Sequence, residues 1–330
     1  MAERLISEFN IDEEETLREF EFDIIDLEEE ISDMEKRSEQ GKVSTYTNTA
    51  GATHASAEIK AGRVINESLK QELPEHEVLD YIGSGGNADV HKIRLKETGE
   101  VAALKVPQWE GTLSTDVVED FVDEAETWEK LHDHPNIVEV LNWGSVPYPW
   151  MMLEYMDGSL CEFADDLSAS RKLELLTSVA DALEYAHGHG VVHLDIKPDN
   201  VLMSNGTPKI ADWGLSQVLL THTQTQMGLS APYAAPEQLT DGMGKIDRQT
   251  DVYQLGVLSY ELLTGRLPFM TEKMADLQRE ILEETPEPPS SVNGALPQEV
   301  DEVVLKAMAK SREERYDAVV LFRNDIQNME

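Results

Sequence analysis

The spacing of apolar residues changes near Gly158, and this change most strongly limits what the chain can fold into. Before it, short runs rich in β-branched and aromatic residues are separated by turns, which is typical of an antiparallel sheet. The predicted strands are 76–83, 88–95, 99–107, 136–144 and 150–156, and a helix is predicted over 116–131. The first part of the folded region is therefore predicted to be β-rich.

After Gly158 the apolar residues recur at helical spacing. Helices are predicted over 173–186, 250–264, 271–283, 297–309 and 315–328. A β-rich lobe followed by a helical lobe predicts an α+β fold with a cleft between the lobes.

Residues 1–40 are predicted to form an acidic, amphipathic helical extension. Its apolar residues follow one another at steps of three and four, as on one face of a helix: Leu17, Phe20, Ile24, Leu27, Ile31 and Met34. Three partners for this stripe remain open, namely the folded domain of the same chain, a helix of another protein, or a second copy in a salt-dependent dimer. Nearly all flanking positions are acidic, which disfavours a parallel dimer because like charges would face each other.

Residues 41–72 are predicted to be a linker, because they are rich in Ser, Thr, Ala and Gly and show neither helical nor strand periodicity. A compact domain is predicted over 73–330. Its β-rich lobe is expected at about 75–156 and its helical lobe at about 157–330.

The net charge is −38, from 27 Lys and Arg against 65 Asp and Glu. Residues 1–40 hold 16 acidic and 4 basic residues, so −12 lies there and −26 lies on the other 290 residues. A surface this acidic repels nucleic-acid phosphates and anionic lipids, so neither is an expected partner. Acidity spread over the whole surface is typical of proteins that work in molar salt, and an ordinary acidic protein is the alternative.

Cys161 is the one cysteine of the sequence, so an intrachain disulfide and a CxxC metal site are excluded. It is predicted to be a small packed hydrophobe. The first residues lack the basic and apolar regions of a signal peptide, and no apolar stretch is long enough to span a bilayer. We therefore expect a cytoplasmic protein without a membrane partner.

Glycines cluster between the first two predicted strands, in Gly83-Ser84-Gly85-Gly86, ahead of Val90. Such glycines let backbone N–H groups approach phosphate oxygens, although a glycine-rich hairpin turn is the commoner explanation. In the next strand Lys105 lies between two apolar residues, where most lysines would face solvent.

Four further blocks follow in order. They are His193-Leu194-Asp195-Ile196-Lys197-Pro198-Asp199-Asn200, Asp212-Trp213-Gly214, Ala235-Pro236-Glu237 and Asp251-Val252-Tyr253-Gln254-Leu255-Gly256. Together with the glycine turn and Lys105, their order and spacing resemble the eukaryotic-like (Hanks-type) serine/threonine protein kinases over about residues 75–328. The resemblance implies a bilobal protein kinase fold, with a small antiparallel β-rich N-lobe and a larger α-helical C-lobe.

The resemblance also implies catalytic roles by position. Lys105 is expected to hold the α- and β-phosphates of ATP and to pair with Glu124, or otherwise with Glu126. Asp195 is expected to accept the hydroxyl proton of the protein substrate, and Lys197 to steady the transferred phosphoryl group.

The implied nucleotide site extends over both lobes. Asn200 and Asp212 are expected to bind Mg²⁺, with Mn²⁺ as an alternative ion. Leu153 resembles the gatekeeper, and the backbone of Glu154 and Met156 is expected to meet adenine. The other implied nucleotide-binding residues are Gly83, Ser84, Gly85, Gly86, Val90, Ala103 and Lys105.

Structural supports are implied as well. Glu237 is expected to pair with Arg315, and Asp251 to hold the backbone of the loop that carries Asp195. Ser230 takes the position of an activation-segment threonine of the family.

Three residues depart from the family pattern. Ala88 replaces the third glycine of the phosphate loop, and Trp213 replaces a phenylalanine. Leu194 stands where the family commonly has an arginine that binds a phosphate on the activation loop. Its presence predicts activity without phosphorylation of that loop.

The predicted function is an ATP-dependent serine/threonine protein kinase in intracellular signalling, with proteins, this chain included, as substrates. Two alternatives remain open, a pseudokinase that acts as a scaffold and a small-molecule kinase of related fold. The retained Lys105, Asp195, Asn200 and Asp212 argue against the first. The 230–237 segment and the 251–256 block favour protein substrates over small molecules.

Overall fold

The computed structural model describes residues 76–85, 88–108, 114–145, 148–213, 231–271 and 273–329. The predicted N-terminal helical extension and the predicted linker lie outside these residues.

A five-stranded antiparallel sheet forms the first lobe, in the order β1-β2-β3-β5-β4. Its strands are β1 (His76–Gly85), β2 (Ala88–Leu95), β3 (Val101–Pro107), β4 (Val140–Gly144) and β5 (Trp150–Glu154). Helix α1 (Thr115–Glu129) lies between β3 and β4 in the chain, and the side chain of Ser114 caps its first turn. The predicted β-rich lobe with one helix is confirmed.

The two faces of this sheet belong to different apolar clusters. Residues of α1, such as Phe121 and Trp128, pack with Ala103 and Leu153 in the main core. A smaller cluster on alternate sheet positions contains Ile93, Ala102, Leu104, Val106, Tyr148 and Met152. This alternation follows from the two-residue period of a strand, and it turns the side chain of Lys105 towards the main core.

The fourth strand is shorter than predicted. It begins at Val140, because the residues before it turn away from the sheet and contact the other lobe. Ile137 forms a parallel bridge with Ile210. The N–H of Val138 donates to the carbonyl oxygen of Ile210 at 2.9 Å. The N–H of Ile210 donates to the carbonyl oxygen of Asn136 at 2.8 Å. Part of the predicted strand therefore joins the two lobes.

The second lobe contains a small sheet and most of the helices. The sheet is β6 (Gly158–Ser159), β7 (Val201–Ser204) and β8 (Thr207–Ile210), paired in that order. The helices are α2 (Leu160–Phe163), α3 (Ala169–Gly188), α4 (Pro236–Leu239), α5 (Arg248–Thr264), α6 (Met274–Glu283), α7 (Pro289–Val292), α8 (Glu299–Ala307) and α9 (Val319–Gln327). The predicted helical lobe is confirmed, although α6 and α9 begin three and four residues later than predicted.

Helix α5 is the centre of this lobe. Its residues from Thr250 to Tyr260 are all buried, so neighbouring elements surround it on every side. Because α5 is buried on all sides, the packing of the whole core fixes the positions of the side chains in its first turn.

A buried ion pair connects α4 to the chain between α8 and α9. Arg315 Nη1 lies 2.7 Å from Glu237 Oε1, and neither side chain is exposed. The Thr250 hydroxyl donates to the same carboxylate oxygen at 2.9 Å, and Arg312 Nη1 lies 3.3 Å from it. The predicted contact of Glu237 with Arg315 is present.

No helix within the described ranges combines the length and the apolar content needed to cross a membrane.

Removing the buried cation should cost much more stability than removing an exposed one. We expect Arg315→Met to lower the free energy of unfolding by about 3 kcal/mol, because a buried carboxylate loses its main partner. Arg266→Met is the matched control. Arg266 pairs with Glu287 on the surface, with side chains 42% and 53% exposed, and its loss should cost under about 1 kcal/mol. Urea unfolding of both variants measures the difference, and equal losses would contradict the expectation.

Candidate functional site

Lys105 is the buried cation at the centre of the cleft between the lobes. It lies on β3, and only 8% of it is exposed. Its Nζ is 2.7 Å from Glu124 Oε1 on α1 and 2.6 Å from Asp212 Oδ1, just after β8. The structure thus brings together three residues from the sheet, the helix and the second lobe. Glu124, and not the alternative Glu126, faces the lysine.

The charges of this group support one another. Burial alone would lower the pKa of Lys105, but the carboxylates of Asp212 and Glu124 outweigh it and raise the pKa above its ordinary value. Burial likewise opposes ionisation of Asp212, yet the Lys105 ammonium holds the pKa of that carboxyl below its usual range. Lys105 and Asp212 are therefore both charged at neutral pH.

A second group lies on the loop between α3 and β7. We call residues 193–200 the catalytic loop, after the role that the family resemblance implies for Asp195. Lys197 Nζ is 2.7 Å from Asp195 Oδ2. The amide of Asn200 donates to the carbonyl oxygen of Asp195 at 2.8 Å and to Oδ2 at 3.0 Å. Two donors therefore fix Asp195 Oδ2 in place, which sets the direction of the other carboxylate oxygen.

Asp251 holds this loop from the first turn of α5. It is fully buried, and its carboxylate accepts the backbone N–H of His193 at 2.9 Å and that of Leu194 at 2.7 Å. Its Oδ2 also lies 2.7 Å from His187 Nε2. The predicted support of the loop by Asp251 is present, whereas the contact with His187 was not predicted.

The predicted adenine-binding residues lie on facing strands. Ala103 pairs with Leu153, and Val90 pairs with Lys105. Ala103, Leu153 and Met156 are buried, and Val90 is half-buried beside the same core. These side chains form an apolar wall next to the Lys105 group, which suits a flat aromatic base.

The first turn of the sheet carries the predicted phosphate loop. Gly83, Ser84 and Gly85 end β1, and Gly86 lies outside the described residues. A Cβ at Gly83 would meet no atom within 4 Å.

Glu154, at the end of β5, accepts from Lys209 Nζ at 2.5 Å.

Asn200 and Asp212 have the chemistry of ligands for a divalent cation. Asp212 Oδ1 is paired with Lys105, while 46% of the side chain remains exposed. The Asn200 amide nitrogen faces Asp195, which directs its oxygen the other way. An amide oxygen and a carboxylate oxygen are hard donors that suit Mg²⁺. The two residues therefore fit the implied metal.

Some residues differ from the prediction or were missed. Cys161 is exposed rather than packed, and its Sγ lies 3.7 Å from Asp199 Oδ1. Ser230 lies outside the described residues. Gln254 and Gln238 contact the catalytic loop and were not predicted. The available signal was Gln254, a polar residue among the apolar residues of helix α5, which could have indicated a hydrogen-bonding role.

The chain is similar to known protein kinases over most of the described region. The family model described as the protein kinase domain matches residues 76–325. The chain is 36% identical over 258 residues to the serine/threonine-protein kinase Pkn1 of Myxococcus xanthus, covering 74% of this chain and 37% of that protein. It is 32% identical over 273 residues to the serine/threonine-protein kinase PknB of Mycolicibacterium smegmatis, covering 76% of this chain and 42% of that protein.

The chain thus spans about two fifths of the length of these curated relatives. Among solved structures, the Mycobacterium tuberculosis PknI kinase domain is similar with a TM-score of 0.59 and 24% identity. That likeness covers 77% of this chain and 95% of the other, and it concerns the fold.

The Lys105 ammonium should control the ionisation of Asp212. We expect the pKa of Asp212 to rise in Lys105→Met, because desolvation is then opposed only by the weaker effects of His193 and Lys197. In the wild type the folded pKa lies below the unfolded one. The pair therefore stabilises the fold above about pH 4 and loses this contribution as the pH falls through the folded value.

NMR titration of the Asp212 carboxyl carbon measures this effect. Lys209→Met is the control, because Lys209 pairs with Glu154 and not with Asp212. An unchanged pKa of Asp212 in Lys105→Met would contradict the expectation.

Proposed function

The chain belongs to the protein kinase domain family, and from this membership we propose that it transfers the γ-phosphoryl group of ATP to serine and threonine hydroxyls of proteins. The observation that carries the proposal is the position of Lys105, within 2.7 Å of both Glu124 and Asp212. This arrangement joins both lobes in one charged group, which is what a kinase needs to bind and orient a triphosphate.

Some residues of the cleft are proposed to bind ATP, and others to position the groups that react. The apolar wall of Val90, Ala103 and Leu153 receives adenine, and the backbone of Glu154 and Met156 borders it. Lys105 holds the α- and β-phosphates, and Glu124 keeps its ammonium in position. Phosphoryl transfer depends mainly on such positioning and on electrostatic stabilisation.

The proposed transfer uses Asp195 as the proton acceptor. Its Oδ2 is occupied by Lys197 and Asn200, so Oδ1 takes the proton of the substrate hydroxyl. The hydroxyl oxygen then bonds to the γ-phosphorus, the bond to the bridging oxygen breaks, and ADP leaves. Lys197 balances charge on the transferred group. Asn200 and Asp212 would hold Mg²⁺, which would neutralise charge on the triphosphate.

Two other functions fit the residues less well. A pseudokinase scaffold would not need the charged contacts of Lys105, Asp195 and Asn200. A small-molecule kinase would not need a peptide-docking segment, which Glu237 and Arg315 anchor to the helical lobe. The two curated relatives described above are named serine/threonine-protein kinases, which supports protein substrates.

The distributed negative charge supports adaptation to high salt, from a halophilic source. Acidic surfaces repel themselves at low ionic strength, and salt at molar concentration screens that repulsion. The same charge supports the absence of nucleic-acid partners. The single cysteine fits a reducing compartment, and a cytoplasmic location is proposed on that ground. The acidic extension at residues 1–40 is proposed to bind a partner helix or its own kinase domain.

The central test is transfer of labelled phosphate from ATP to the protein itself and to a generic basic protein. We expect transfer by the wild type with Mg²⁺, faster at ~2 M than at ~50 mM KCl because screening reduces self-repulsion. Asp195→Ala should lose transfer, whereas Asp317→Asn, at an exposed position, should keep it. No transfer at either KCl concentration would favour the pseudokinase scaffold. Transfer only to a small molecule would favour the small-molecule kinase.

Activity should not require phosphorylation of the segment before α4. Leu194 occupies the position of the arginine that binds the activating phosphate in the family, so the phosphate has no principal receptor. Thr221, Thr223 and Thr225, which lie outside the described residues, are the candidate sites. A dephosphorylated preparation with all three replaced by Ala should retain kcat within about threefold of the wild type. A hundredfold loss would show that phosphorylation is needed.

A further inference from the structure

The backbone of the catalytic loop depends on side chains for its hydrogen bonds. Residues 193–196 lie in neither a helix nor a strand, so their buried N–H groups need other acceptors. Asp251 accepts from His193 and Leu194. The N–H of Asp195 donates to His193 Nδ1 at 3.2 Å, and that of Ile196 donates to Gln254 Oε1 at 3.0 Å. Each of the four N–H groups therefore has a side-chain acceptor.

Gln254 contacts the loop on both sides of Asp195. Its Oε1 accepts from the residue after Asp195, while its Nε2 donates at 2.8 Å to the carbonyl oxygen of the residue before it, Leu194. Exchanging the amide oxygen and nitrogen would set two donors together at Ile196 and two acceptors together at Leu194. The orientation of the amide is therefore determined by its partners. Gln254 is 2% exposed, so water does not replace these bonds.

Gln238 completes the arrangement from α4. Its Nε2 donates to the same Leu194 carbonyl oxygen at 3.0 Å. Its Oε1 accepts from Gln254 Nε2 at 3.0 Å and from the N–H of Ala235 at 2.9 Å. The two glutamines thus link the catalytic loop to helices α5 and α4. We call Gln238 and Gln254 the amide pair.

Leu194 is the residue that most needs this support. Its φ is 67°, in the left-handed region that branched side chains rarely adopt. Such a conformation costs of order 1–3 kcal/mol and persists only where the surroundings impose it. Asp251 holds its N–H, and the amide pair holds its carbonyl. Both peptide groups of Leu194 are thereby fixed.

We propose that Gln254 and Gln238 are positioning residues that hold Asp195 in the geometry for phosphoryl transfer without an activation-loop phosphate. The proposal rests on the proposed kinase function. Position 194 offers no guanidinium for a phosphate, and the amide pair instead anchors the same stretch of backbone through neutral hydrogen bonds. Because misplacing a catalytic group by about 1 Å can cost about a hundredfold in rate, holding this backbone matters for turnover.

The test replaces each amide with methionine, which has a similar volume and no amide donor or acceptor. We expect kcat to fall about 30-fold in Gln254→Met and about tenfold in Gln238→Met. The double variant should also lose about 30-fold rather than the product of the two losses, because both amides act on one carbonyl. KM for ATP should change less than about threefold, because the Lys105 group is untouched.

Gln249→Met is the matched control. Gln249 also lies on α5 and donates to backbone carbonyls, those of Arg312 and Tyr316, but it does not contact the catalytic loop. Its kcat should stay within about threefold of the wild type. Equal losses in Gln249→Met and Gln254→Met, or a wild-type kcat in Gln254→Met, would overturn the proposal. If Gln254→Met does not fold, Gln238→Met carries the same test at a half-buried position.

Amide hydrogen exchange separates this proposal from the proposed function. The Ile196 N–H should exchange at least about tenfold faster in Gln254→Met but not in Gln249→Met. If the wild type transfers no phosphate, the kinase function fails, and exchange still tests whether the amide pair holds the loop. Unchanged protection of Ile196 in a folded Gln254→Met would overturn the proposal whatever the activity.

Discussion

The buried carboxylate of Asp251 is the interaction on which the rest of the site depends. It lies in the first turn of α5, where the helix dipole favours negative charge, and it is fully buried. It accepts two consecutive N–H groups of the catalytic loop. Because α5 is enclosed by the helical lobe, the position of this carboxylate is set by the whole core. The packing of the helical lobe therefore places the backbone next to Asp195, while Lys197 and Asn200 orient its side chain.

Much of the fold and of the site could be predicted from the sequence, because both depend on spacing. Alternation predicted the β-rich lobe, helical periodicity predicted the second lobe, and the family resemblance singled out Glu124 as the partner of Lys105. The hydrogen bonds of Gln254 could not be predicted, since a buried glutamine shows no partner in a periodic pattern. Cys161 was wrongly predicted as packed, because the type of a residue does not determine whether its position is exposed. The start of β4 was also wrong, since Ile137 bridges to Ile210 across the lobes.

Three of the described cations are each shared between two acidic residues. Lys105 lies between Glu124 and Asp212, Arg323 contacts Asp181 and Glu184, and Arg312 contacts Glu237 and Asp247. In a chain with 65 acidic and 27 basic residues, each of these three cations connects separate elements of the fold. Loss of one such cation leaves two carboxylates facing each other, so its effect exceeds that of one broken pair.

The bridge between Ile137 and Ile210 also determines how the lobes can move. The lobes are joined covalently between β5 and β6, and the bridge adds a second attachment through backbone hydrogen bonds at 2.8 and 2.9 Å. Two attachments define a line. Rotation about that line preserves both, whereas sliding or separation would break the bridge. We therefore expect opening of the cleft to be a rotation about this line, which would also have to break the ion pair of Lys105 with Asp212.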